Sequence, residues 1–345
     1  MPHCMNDPQP EGHMASYIGR RKFLATLGGA AAVWPLAARA QLGGGIPRVG
    51  FLWHAGSREE ESPYYEAAIE GFAKLGYVDG RNIIIEHRFP NEIPDRFRSM
   101  AAELVALNVD VLMGTTSSIS YLRDATSKIP TVFVSVPNPV EMKLVQSLAR
   151  PGGNITGFTS FGADLAAKRL QLLKELVPGL SRVALLLSQN SPVKRMYIDV
   201  TRAAADKLGL VVQAYEATTL EDMASLFDAM VKAGMQAVIV VAPGIVAQPQ
   251  AHAVITKLAM ARRLPLSTFA KETFEGALVS YGPSITGLFR RMAIYVDKIL
   301  KGAKPGELPV EQPTTFELFI DLRVAKILGL EVPVHLQQIA DGVIE

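Results

Sequence analysis

Four consecutive hydroxyl residues, Thr115, Thr116, Ser117 and Ser118, follow Gly114 directly behind the apolar run "VDVLM". Where a strand hands over to a helix, such a cluster caps the helix. It also turns free N–H groups and a positive dipole end toward an anion. One hydroxyl alone does no more than cap, whereas the cluster makes a candidate carboxylate cradle. Asn138 stands between Pro137 and Pro139 behind "PTVFVSV", in a rigid turn that holds its amide either as a simple Asx turn or as a ligand contact. Trp53 and His54 follow "RVGFL" and offer ring faces to an apolar ligand, although Trp53 also suits a core position and a lone loop histidine is usually only hydrogen-bonded. Asn190 lies in "SQNSP", the matching loop behind "VALLL".

Reaction chemistry needs more than this. A nucleophile requires a base in reach, and His54 with Ser117 is the only pair to nominate. There is no G-x-x-x-x-G-K-[ST], no G-x-S-x-G and no H-E-x-x-H, and the six histidines are dispersed. "GGGIPRVG" precedes the first strand, so it is a linker and not a dinucleotide loop. No catalytic residue, metal site or cofactor is therefore expected.

The elements that must position these loops are legible from residue 46 onward. "RVGFLW" is a buried strand; "YYEAAIEGFAKLGY" has apolar residues three and four apart and closes at Gly76, as a helix does. "NIIIEHRF", "VDVLMG" and "PTVFVSV" are further strands separated by "FRSMAAELVALN" and "ISYLRDATSK", both helical. Alternation of this kind predicts an α/β fold with a parallel sheet covered on both faces. The plan then repeats: Ser181 of "SRVALLL" stands 134 residues after Pro47 of "PRVGFLW", and Pro265 of "RLPLSTF" stands 135 after Pro130 of "KIPTVFV". Two doubly wound lobes follow, with ligands expected beyond the carboxyl ends of their strands. Three segments are expected to cross between them: "ITGFTSF", "LVSYGPS" and "PVEQPTTFELFI". This apportions residues 46–158 and 284–306 to lobe 1, and 159–283 and 307–345 to lobe 2.

Residues 1–40 have the order of a leader and export signal. Arg20, Arg21 and Lys22 precede an apolar stretch from Phe23 to Ala38, and Ala38-Arg39-Ala40 supplies a cleavage pattern. Arg-Arg-x-Phe-Leu and the weakly apolar Gly28-Gly29-Ala30 match the twin-arginine type, with cleavage after Ala40 and a periplasmic product. The stretch is too short and too rich in Gly and Ala to be a comfortable membrane span, and no later run reaches that length. Cys4, the only cysteine, lies in the leader, so a disulfide framework is excluded. The leader holds four basic and two acidic residues of the chain's 35 and 33, which leaves the remainder formally neutral. Neutrality without a Lys/Arg run argues against nucleic acid as a partner.

Several segments together resemble the ABC transporter substrate-binding proteins of the tryptophan/tyrosine type, periplasmic binding proteins with the two-lobed type I fold. They are "KLGYVDGRNIIIEHRF", "LARPGGNITGF", "RLPLSTF", "VSYGPS" and, most specifically, "YVDKILKGAKPGELPVEQPTTFEL". The resemblance runs from about Arg48 to the C-terminus. It implies a monomeric receptor that closes on a small-molecule ligand, an amino acid or an aromatic or other small carboxylate, and presents it to an ABC permease with its ATPase. It implies ligand contacts at Thr115, Thr116, Ser117, Asn138, Ser160 and Asn190, and in the loops of Pro243 and Thr268. Phe161 and Tyr281, on two of the crossings, complete the candidates with Trp53 and His54. Where the family commonly has Asp, this chain has Asn138, which puts an ammonium partner there in doubt. An exported enzyme on the same scaffold, and a ligand-sensing subunit of a membrane receptor, are the alternatives.

Overall fold

The computed structural model describes residues 45–241, 243–270 and 275–345, of which 46–345 form one compact body. The expected export signal and cleavage site, in residues 1–40, lie outside the described residues.

Two sheets carry the body. The first has the order β2-β1-β3-β4-β5, built from Arg48–Leu52 (β1), Ile84–Arg88 (β2), Val111–Gly114 (β3), Thr131–Val136 (β4) and Ile155–Thr159 (β5), all parallel. The second runs β12-β11-β10-β9-β8-β6-β7. Its strands are Arg182–Ser188 (β6), Val211–Ala217 (β7), Ala237–Val240 (β8), Leu266–Thr268 (β9), Val279–Gly282 (β10), Glu317–Asp321 (β11) and Gly342–Ile344 (β12). Strands β7-β6-β8-β9-β10 repeat the order of β2-β1-β3-β4-β5, so the repeat in the sequence is a repeat of topology. The expectation of two parallel-sheet α/β lobes is met, with one departure: β11 pairs antiparallel to β10. It enters from a crossing segment and not from a covering helix, so no right-handed crossover dictates its direction.

Each sheet is buried on both faces, as runs such as "VALLL" require. On one face of the first sheet, Val49, Phe51 and Met113 pack with Tyr64–Lys74 (α1) and Ile285–Leu300, the helix that follows β10. On the other, Leu52, Leu112 and Phe133 pack with Phe97 and Leu104 of the helix before β3. In the second sheet, Val183, Leu185 and Leu187 face the helices Ala166–Leu176 and Lys194–Leu208, while Ala184 and Leu186 face Phe227 and Ile255.

The chain passes between sheets three times: behind β5, behind β10, and from Glu311 to β11. The last passage is fastened before it leaves. Thr159 donates its amide to the Glu311 carbonyl at 2.9 Å, the Glu311 amide donates to the Gly157 carbonyl at 2.9 Å, and Tyr295 Oη donates to the Pro309 carbonyl at 2.6 Å.

Two glycines are dictated by close approach. Gly157 has φ +154°, and a side chain there would strike the Phe133 carbonyl. Gly71 of α1 lies directly on the Arg290 carbonyl of the helix Ile285–Leu300. Gly71→Ala must force these helices apart, which costs about 1–3 kcal/mol. Urea unfolding of the variant checks this, and an unchanged stability contradicts the close packing.

Candidate functional site: a cavity at the strand ends

Because parallel strands all end at one edge, the loops behind β1, β3 and β4 meet those behind β8 and β9 across the crossings. There they line a cavity whose empty space, counted out to open solvent, is about 720 Å³. The first sheet contributes His54, Thr115, Thr116, Ser117, Ser135 and Pro137; the crossings contribute Ser160, Gly162 and Pro283. The second sheet and its helices contribute Arg169, Tyr197, Pro243, Ala247 and Phe269, and one wall is closed by Tyr64, Ile285 and Phe289. The lobes also touch beside the cavity, where Gln248 Nε2 donates to Asn91 Oδ1 at 3.0 Å and Gln250 donates to Glu60.

The hydroxyl cluster lines the cavity, but its protons are largely committed inward. Thr116 Oγ1 donates to the Ser135 carbonyl at 2.7 Å, Ser117 Oγ donates to Glu92 Oε1 at 2.9 Å, and Ser118 Oγ donates to the Leu52 carbonyl at 2.7 Å. What Thr116 and Ser117 can still offer a ligand from these groups is oxygen lone pairs, which suit a donor better than a carboxylate. The receiving carbonyl belongs to a kink. Ser135 has φ +62°, and the register of β4 against β5 shifts between Phe133 and Val136, so the strand end turns Ser135 into the cavity.

His54 is held between two carboxylates. Its Nε2 lies 3.3 Å from Glu61 Oε2 and its Nδ1 3.4 Å from Glu92 Oε1. The fully buried Glu61 is itself fixed by the amides of His54 and Ala55, which donate to its Oε1 at 2.8 and 2.7 Å. Burial of the imidazole works against protonation, but the negative charges of Glu61, Glu92 and Glu60 outweigh it and raise His54 to about 9. Glu61 is itself pushed up by burial. Asn91 and Glu92 both have left-handed backbones, φ +56° and +54°, and the Glu92 amide donates to the His54 carbonyl at 2.9 Å, so this turn delivers the second carboxylate. With both ring nitrogens facing acids, His54 presents its ring to the cavity as a cation. Ser117 donates to Glu92 and not to the imidazole, so the nominated base and nucleophile are not hydrogen-bonded to each other.

Arg169 is the residue that sequence reasoning missed. It is 1% exposed, and it stands among Ala166, Leu170, Leu173 and Leu176 on the buried stripe of its helix. Nε donates to the Tyr281 carbonyl and Nη1 to the Gly162 carbonyl, both at 2.8 Å, while Nη2 is buried without a protein partner. Burial lowers its pKa to about 10, which leaves it charged at neutral pH. The signal was available: in "AAKRLQLLKEL" an arginine falls in register with the leucines of the apolar face. Tyr64, Tyr197, Phe269 and Phe289 gave no local signal, since their apolar spacing reads equally as core.

Six of the sequence candidates come together on the cavity wall: His54, Thr115, Thr116, Ser117, Ser160 and Pro243. The other six lie elsewhere. Trp53 is fully buried, stacked on Phe51, with Nε1 donating to His87 Nδ1 at 2.9 Å. Asn138 forms an Asx turn, in which Oδ1 accepts the Glu141 amide at 3.2 Å and Nδ2 donates to Glu141 Oε2 at 3.1 Å. Thr268 is fully buried and directs its hydroxyl to the Ala270 carbonyl. Phe161 and Tyr281 both pack against Phe316, and Tyr281 serves the cavity only through the carbonyl that holds Arg169. Asn190 is exposed in a separate hollow with Glu92 and Gln248.

Two lobes of equivalent topology around such a cavity make a type I periplasmic-binding fold. Residues 60–344 match the family described as ABC transporter substrate binding protein, and the chain belongs to that family. It is 24% identical over 278 residues to the "Tyrosine-binding protein" of Clostridioides difficile, covering 79% of each chain. In structure it is similar to an ABC domain from Streptococcus pneumoniae solved in complex with L-Trp, with TM-score 0.80 and 24% identity, over 87% of this chain and 100% of that one. A more distant likeness is the Bacillus halodurans solute-binding protein with bound myo-inositol, at TM-score 0.57 and 13% identity, over 83% and 98% of the two chains.

Because His54 titrates above its ordinary 6.5, its contribution to stability is complete below that value and is lost as the pH rises through about 9. Glu61→Gln keeps the acceptor for both amides but removes the charge, so His54 should titrate lower than in the wild type. NMR titration of the ring nitrogens reads this directly; an unmoved pKa would deny Glu61 its role.

Proposed function

We propose that this protein is an exported receptor that binds a small organic solute between its lobes and delivers it, as a monomer and without chemical change, to an ABC permease and its ATPase. The observation that carries the reading is the cavity itself, closed by the strand-end loops of both lobes and lined by apolar side chains with a few fixed polar groups. Family membership supports it. So does the arrangement of His54, whose ring nitrogens face two carboxylates and are ill placed to act as a base. Among the described residues no helix is long and apolar enough to cross a membrane, which suits a product released on the far side. The solute class is that of amino acids and aromatic or other small carboxylates, in keeping with the tyrosine and L-Trp named for two relatives. Export follows the twin-arginine route through Arg20 and Arg21, with a periplasmic destination.

A thermal-shift screen against amino acids, aromatic acids, sugars, nucleosides and small organic acids tests the receptor. A ligand at a hundred times its Kd adds about 2.7 kcal/mol and moves the midpoint by several degrees. A shift confined to one class, with the compound recovered intact, is the expected result; conversion of the compound would make the protein an enzyme. Export is tested separately by replacing Arg20 and Arg21 with lysines, which should leave uncleaved protein in the cytoplasm. Undiminished export of that variant would exclude the twin-arginine route.

A further inference from the structure

We propose that Arg169 is the anion anchor of the cavity and that its free Nη2 binds the carboxylate of an organic acid ligand. The proposal deepens the receptor reading and rests on it.

The geometry is that of a donor built in advance. Two of the three guanidinium nitrogens are spent on carbonyls, Tyr281 through Nε and Gly162 through Nη1, which fixes the plane and aim of the group. The third, Nη2, is buried, faces no acceptor of the protein and belongs to a side chain on the cavity wall. Among the described residues no carboxylate forms an ion pair with Arg169, so a full positive charge sits out of water against backbone dipoles alone. A buried charge in that condition is costly unless a counter-charge arrives, and the place open to one is the cavity.

The backbone around the guanidinium is closely packed. Gly162 is in contact with Tyr197, and a side chain at 162 would collide with the tyrosine hydroxyl. A Cβ at Gly282 would stand 3.3 Å from Nη2 and strike the Phe269 carbonyl. Phe161 takes a left-handed backbone, φ +52°, immediately before the Gly162 carbonyl that grips the guanidinium. The opposite wall is complementary in kind: Thr116 and Ser117 have committed their hydroxyl protons and offer lone pairs, and Tyr64, Ile285 and Phe289 offer apolar surface. The ligand so defined is an organic carboxylate with an apolar body and a hydrogen-bond donor at its far end. Its acid group belongs with the second lobe, in place of the hydroxyl cradle on the first.

The anchor is tested by comparing acids with their primary amides, which keep the shape and lose the charge. Affinities of 4-hydroxyphenylacetate, phenylacetate and tyrosine and of their amides are measured by calorimetry for the wild-type protein and for Arg169→Gln. A charge-assisted hydrogen bond of this kind discriminates by roughly tenfold or more. The wild type should bind an acid at least tenfold tighter than its amide, and Arg169→Gln should abolish the preference by weakening the acid alone. Equal weakening of acid and amide would make Arg169 merely structural and overturn the proposal. So would a wild type that binds amides as well as acids, or that binds none of these acids. If Arg169→Gln fails to fold, Arg169→Lys, which keeps the charge but loses the fixed fork, should narrow the acid preference, and an unchanged preference would overturn the proposal. A neutral solute found by the broad screen, with no acid bound, would remove the anchor and leave the receptor standing. Turnover of any compound would instead remove the receptor.

Discussion

Parallel pairing constrains everything else in this molecule. A strand that lies parallel to its neighbour can be reached only by a crossover, so the chain returns each time to the same starting edge and all strand ends gather at the other. Five strands in the order β2-β1-β3-β4-β5 thus place their loops side by side, and the repeat in the second sheet does the same. Joining the two sheets through the crossings behind β5 and β10 brings both sets of loops to one cavity. Neither lobe holds a complete site alone: the hydroxyls and the imidazole come from one, the guanidinium from the other.

The two cations of that cavity are stabilised in opposite ways. His54 has its counter-charges within reach, in Glu61 and Glu92, and its proton is retained well above the ordinary range. Arg169 has only carbonyls, and burial moves its pKa the other way. The first is a closed electrostatic unit that shapes the wall. The second is open, with one nitrogen unpartnered. That difference separates a group that supports the site from one that can recognise a solute.

Much of the fold was legible because its signals are local. The apolar runs, the helix closed at Gly76 and the offset of 134 residues between the lobes are properties of neighbours in the chain. The antiparallel β11 was not legible, because its direction depends on a crossing fastened to β5 by the Glu311 backbone. The site was half legible for a similar reason. Strand-end loops could be located, which found His54 and Thr115, Thr116 and Ser117. The direction of each side chain within them could not. Asn138 satisfies its own turn, and Trp53 ends its strand facing the core. Arg169 sits in the first turn of its helix, beyond the strand-end loops, and was not among the candidates.

The helix Ile285–Leu300 covers one face of the first sheet, yet it follows nearly all of the second sheet in the chain. During synthesis, Val49, Phe51 and Trp53 are made early, and the side chains that shield them, Phe289, Met292 and Val296, come roughly 240 residues later. At about 5–20 residues per second the ribosome leaves that surface uncovered for ten seconds or more. Over this interval the nascent chain is a natural client for a holdase chaperone, and the completed first lobe is among the last parts of the body to become native.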